Sequence, residues 1–88
     1  MNMSLTSNFQ KSHLAKIIGN RIRSLRKTKK MSIEELAFAS DMEYAQLSRI
    51  ERGVVNCTTY QLYKICMSLE QRLSILFENI EVEINTSN

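Results

Sequence analysis

The sequence predicts an all-α domain, and three observations predict it. Its 88 residues include no proline and only two glycines, so little interrupts a helix and little builds the tight turns that strands require. Apolar residues recur at steps of three and four along most of the chain instead of alternating. Helix-capping residues, Ser32 and Thr58, stand just ahead of two of these periodic runs. A hydrophobic content of 43% supports one modest core and leaves no room for a second domain.

Taken in order, Leu14, Ile17, Ile18, Ile22 and Leu25 lie on one stripe of a first helix over residues 12–29. Gly19 interrupts that helix at a cost of about 1 kcal/mol against alanine. In MSIEELA, Ser32 and Glu35 form an S-x-x-E capping box that satisfies backbone donors at the start of a second helix from Ile33. This helix buries Ile33 or Leu36 together with Ala37. It ends near Ser40, where Asp41 accepts a left-handed turn more readily than most residues. A third helix over residues 44–52 turns Leu47 and Ile50 inward, and Gly53 closes it. Thr58 caps a fourth, whose Leu62, Ile65, Cys66 and Leu69 make a core stripe with Cys66 as a small hydrophobe. A short fifth helix is expected around residues 73–77.

The final segment, IEVEI, alternates apolar and acidic residues with period two, as a strand with one buried face does. A lone strand needs a partner, so it either pairs across a dimer or frays as a tail. The expected organisation is a flexible segment over residues 1–12, the domain over 13–79 and a tail with a possible dimerisation strand over 80–88.

Charge is distributed unevenly about a net +3. Residues 1–30 carry a local +8 with no acid, whereas residues 70–88 carry a local −3. This asymmetry favours an anionic partner docking near the basic elements. Cys57 and Cys66 lack the spacing of a zinc site and are too few for a disulfide framework. With no glycine-rich phosphate loop, no metal-ligand cluster and no paired catalytic carboxylates, the reading is not an enzyme, with no cofactor, no metal and no small-molecule ligand expected. No run reaches the length of a membrane span or a signal-peptide core, so a soluble, cytoplasmic protein without membrane association is expected.

Two short helices joined by a tight turn over residues 32–53 read as a helix-turn-helix. The chain resembles the lambda-repressor-like, XRE-type family of DNA-binding domains. The resemblance rests on IRSLRKTKKMSIEELA, SDMEYAQLSRIERG, VNCTTYQLYKICMSL and LSILF, in that family's order and spacing over residues 14–77. It implies a compact five-helix domain whose third helix reads double-stranded DNA in the major groove. Tyr44, Ala45, Gln46 and Arg49 are then the base-reading positions. Arg49 can offer a fork to guanine O6 and N7, and Gln46 suits adenine N6 and N7. The role of Glu43 stays open.

Backbone donors near Ser32 and Ile33 make an anion site at the start of the second helix. The family commonly has glutamine where Ile33 stands, so Ile33 serves packing or a thymine-methyl contact. Arg52, Asn56 and Thr58 match positions that in the family touch the DNA backbone, although Asn56 and Thr58 also suit turn and cap roles. The resemblance further implies that Glu51 pairs with Arg26 of the first helix. Glycine is common in the family where Lys30, Asp41 and Glu70 stand here.

The function expected from the sequence is a transcriptional regulator, of the phage-repressor or controller-protein kind, that binds a palindromic operator as a homodimer. Ile75, Leu76, Phe77, Ile80, Val82 and Ile84 are the expected dimer interface, because they exceed what so small a core needs to bury. The alternative is an antitoxin-type interaction module that also binds DNA.

Overall fold

The longest helix, α1 (Lys11–Thr28), is the axis of the protein. It is followed by α2 (Ile33–Ala39), α3 (Tyr44–Glu51) and α4 (Thr59–Ser68), then by a 3₁₀ turn (Leu73–Leu76) and α5 (Ile80–Thr86). This computed structural model describes residues 11–86, with side chains described for 13–83. The expected flexible segment therefore lies largely outside the described residues. Helix α1 packs against α3, α5 and the 3₁₀ turn, and α2 packs against α3 and α4. Every element feeds one core: Ile17, Ile18 and Ile22 meet Leu36, Leu47, Ile50, Leu62, Ile65, Leu69 and Leu76 there. Cys66 is fully buried among them, and burial pushes its thiol pKa up, which keeps it in the unreactive thiol form. Leu14 sits at the rim of the α1 stripe, and Leu25, Met31 and Ile33 pack on the core from its edges.

Four helices end in the same way. After α1, Met31 N–H bonds Arg26 C=O and Lys30 N–H bonds Lys27 C=O. The same pair of bonds recurs at Met42 and Asp41, at Val54 and Gly53, and at Gln71 and Glu70. This is the Schellman arrangement, which satisfies the last helical carbonyls and requires one left-handed residue. Lys30, Asp41, Gly53 and Glu70 all have φ between 54° and 72°. Glycine is obligatory at only one of the four. A Cβ on Gly53 would lie 2.6 Å from the Lys16 Cα, whereas the other three turns leave room for a side chain at a strain of about 1 kcal/mol.

Gly19 has a different reason for being there. A Cβ at this position would stand 2.3 Å from the Ile50 carbonyl oxygen and 2.7 Å from that of Glu51, both backbone atoms that cannot swing aside. Helix α1 lies directly on the C-terminal turn of α3 because this residue has no side chain. Ser40, the C-cap of α2, is also buried, and its hydroxyl donates to Ser68 Oγ, which in turn donates to Lys64 C=O. That short chain of hydroxyls ties the ends of α2 and α4 together with no apolar periodicity to announce it.

The C-terminal region corrects two expectations. The fifth helix expected near residues 73–77 is a 3₁₀ turn, and residues 80–86 form α5 rather than a strand. Ile80 and Glu83, three residues apart, fall on one side of a helix. Ile80 enters the core, and Glu83 pairs with Arg21 of α1, whose second amino group donates to Leu76 C=O. A helix satisfies its backbone internally, which a strand without a partner cannot do. Glu81 in the first turn also suits the positive end of the helix dipole.

Two stability predictions follow from the backbone. Gly19→Ala improves helix propensity by about 1 kcal/mol, yet the clash with the α3 carbonyls should outweigh it, for a net loss of about 2 kcal/mol in urea unfolding. Lys30→Gly should do the reverse and stabilise the protein by about 0.5–1 kcal/mol, seen as a higher thermal midpoint.

Candidate nucleic-acid interface

Helix α3 divides its residues cleanly. Leu47, Ile50 and Glu51 are buried, while Tyr44, Ala45 and Arg49 are exposed and Gln46 and Ser48 are half-buried. Ala45 and Arg49 are four residues apart and share the outward face, with Tyr44 beside them. Among the described residues no carboxylate pairs with Arg49, so its five guanidinium donors remain available. Glu43 is the N-cap by backbone conformation, but its side chain makes no capping bond and stays exposed.

The flanks of this face are two helix starts built alike. Ser32 Oγ accepts from Glu35 N–H while Ser32 N–H donates to Glu35 Oε1. Thr58 and Gln61 repeat the exchange ahead of α4. Each hydroxyl's accepting role and each cap N–H is therefore used, leaving the hydroxyl proton as the group that Ser32 or Thr58 can offer outward. Ile33 is partly buried against the core, so packing occupies much of its side chain. Asn56 and Arg52 are exposed, and Arg52 Nε lies 3.3 Å from Ser48 Oγ, which steadies the guanidinium one turn along α3.

Behind the exposed face stands an ion pair. Arg26 Nε donates to Glu51 Oε2 at 2.7 Å and its Nη2 to Oε1 at 2.9 Å, while Nη1 donates to Met31 C=O at 2.9 Å. The side chains are 11% and 5% exposed. The Glu51 hydrogen bonds raise the already high pKa of Arg26, so the guanidinium stays charged at any ordinary pH. No buried side-chain nitrogen or oxygen among the described residues lacks a hydrogen-bond partner. The pair joins α1, the loop after it and α3 in one polar contact.

The expected dimer residues divide between the protomer's core and its surface. Leu76 and Ile80 are buried in the protomer's own core and cannot supply interface area, because the 3₁₀ turn and α5 fold back on α1. Ile75 packs partly on the core, Phe77 is 42% exposed and Val82 is 61% exposed. The side chain of Ile84 lies outside those described. Cys57, half-buried beside Val55 and Phe77, has a thiol pushed up to about 11 by burial. Among the described residues no group of His, Cys, Asp or Glu could hold a metal ion, and no helix is long and apolar enough to cross a membrane.

A short helix crossed by a second one that presents polar residues outward, across a tight turn, defines a helix-turn-helix domain. Residues 22–76 match the Helix-turn-helix (HTH_3) family, and the chain belongs to it. It is a family of DNA-binding transcriptional regulators, not of enzymes. The chain is 43% identical over 63 residues to the HTH-type transcriptional regulator SlrR of Bacillus subtilis (strain 168), covering 70% of this chain and 41% of that protein. It thus spans less than half of that relative's length. Its fold is similar to the restriction-modification controller protein C.AhdI from Aeromonas hydrophila, with a TM-score of 0.69 and 31% identity over 70% of this chain and 94% of that one. It is also similar to the clp gene regulator ClgR from Corynebacterium glutamicum, with a TM-score of 0.77 and 26% identity over 84% and 79% of the two chains.

The charge behind α3 should matter for stability although it lies away from the outward face. Glu51→Ala leaves Arg26 buried without its partner and should cost about 3 kcal/mol in denaturant unfolding. Glu51→Gln, which keeps the size and one acceptor, should cost less; equal losses would remove the ionic interaction from the account.

Proposed function

We propose that the protein is a sequence-specific, double-stranded DNA-binding transcriptional regulator that acts as a homodimer on a palindromic operator. The observation that carries this reading is the division within α3. Its buried side is fixed by Leu47, Ile50 and the Glu51 pair, while Tyr44, Ala45, Gln46 and unpaired Arg49 sit at or near the outward face. A helix held rigidly by one side can be inserted in the major groove by the other. Arg49 reads guanine through O6 and N7, Gln46 suits adenine, and Tyr44 and Ala45 contact base edges or thymine methyls.

Arg52, Asn56 and the hydroxyls of Ser32 and Thr58 hold backbone phosphates on either side, with Ile33 packing beneath that flank. Dimerisation sets two such helices about 34–36 Å apart, on successive turns of one duplex face. The apolar area left for it near the C-terminal elements is Phe77 and Val82, with part of Ile75.

Selection from a random duplex pool tests the reading. Wild-type protein should recover a site with two-fold symmetry. Arg49→Ala should lose preference at one base pair per half-site, by about 1–3 kcal/mol, while Arg52→Ala weakens all sequences alike. Recovery of no preferred sequence by the wild type would end the sequence-specific claim.

A further inference from the structure

Outside the residues assigned so far, α1 carries its own polar stripe. His13, Lys16, Asn20, Arg23 and Lys27 follow one another at steps of three and four, on the side of the helix away from Ile18 and Ile22. The first four line a shallow groove completed by Glu51 and Arg52 at the end of α3 and by Glu83 of α5.

Both acids in that groove are engaged, Glu51 with Arg26 and Glu83 with Arg21. By contrast, Lys16 and Arg23 are exposed, and among the described residues neither has a carboxylate partner. Two glycines set the groove's geometry: Gly19 brings α1 onto the Ile50 and Glu51 carbonyls, and Gly53 brings the chain after α3 onto the Lys16 backbone. The stripe is thereby seated directly beside Arg52.

We propose that this groove is a second phosphate track, in which Lys16 and Arg23 continue the line begun by Arg52 and hold the duplex flanking the base pairs read by α3. The inference rests on the reading of α3 as a DNA-binding helix. The chemistry of the groove fits a polyanion: it offers two cations without a carboxylate partner among the described residues, Asn20 between them and His13 beyond Lys16, and its apolar member, Ile17, is buried. Lys16 and Arg23 are separated by about 10 Å along the helix. Phosphates recur every 3.4 Å or so of duplex axis on a strand, so the two side chains serve different phosphates instead of competing for one. Continuity with Arg52 favours DNA over a protein partner, which would find no exposed apolar anchor here.

The test compares three full-length proteins: wild type, Lys16→Gln with Arg23→Gln, and a charge-matched control, Lys64→Gln with Arg72→Gln. Each is titrated against a duplex carrying the selected site, in a form with flanks on both sides and in a form trimmed to the read base pairs. On the long duplex the groove variant should lower the slope of log affinity against log salt by about 1.8, or 0.9 for each lost phosphate contact. Its base preference and thermal midpoint should match wild type, and on the trimmed duplex its slope should approach wild type. A slope on the long duplex equal to that of wild type or of the control overturns the proposal. Should wild type select no site, a random-sequence duplex takes its place: sequence reading then fails, while the slopes still decide the groove.

Discussion

The contact between α1 and the last turn of α3 is the constraint on which the rest of the architecture depends. It consists of a bidentate ion pair, Arg26 with Glu51, set beside a backbone approach that Gly19 and Gly53 permit. These parts have different energetic roles. Close approach of the backbones lets Ile17, Ile18 and Ile22 reach Leu47 and Ile50, so it contributes through burial. The ion pair contributes little net stability, because desolvating both charges offsets most of their attraction. What it supplies is direction: a planar guanidinium bound to a carboxylate through two nitrogens, and to Met31 C=O through a third donor, accepts only one orientation. The tilt of α3 is fixed by that fork while its mass is held by the apolar contacts.

The interleaving of charges and apolar residues in LSRIERG follows from this arrangement. Leu47 and Ile50 point to the core, Glu51 beside them to Arg26, and Arg49 outward. A charge on α3 is thus either paired at the back or unpaired at the front, and one helix of eight residues carries both functions. Most helix ends of the motif are held by local bonds too. The capping boxes at Ser32 and Thr58 place the starts of α2 and α4, and the Schellman closures at Lys30, Asp41, Gly53 and Glu70 place the ends of α1 to α4, without waiting for tertiary contacts.

Those local devices are also why most of the fold was legible in the sequence. Ser32 with Glu35, the 3.6-residue stripes of α1 and α4, and the left-handed preference of Asp41 all act within a few residues, so spacing alone exposes them. Gly19 was legible only as a defect, since the carbonyls it accommodates belong to residues more than thirty positions later. Buried Ser40 was invisible for the same reason: its partner is Ser68. The period-two pattern of IEVEI misled because it weighed each side chain by polarity alone. Val82 stays exposed while Glu83 finds Arg21, so in this segment a charge joins Ile80 on the side facing the protein and an apolar residue faces away.

The same reasoning separates what positions the outward face from what the face does. The side chains proposed to face bases come from a single stretch of α3 and follow from the motif. The groups proposed to face phosphates come from the caps of α2, α3 and α4, the loop between α3 and α4 and the exposed side of α1, and nothing in the sequence order groups them. Only the fold makes them neighbours. Because α1 is held to α3 by an orientation-fixing pair and by close backbone contact, the backbone positions that carry Lys16, Arg23, Arg49 and Arg52 keep a fixed spacing. An array of fixed spacing meets a helical lattice of charges in one register, so on the proposed reading a charge contact that carries no sequence information still restricts which base pairs Arg49 can reach.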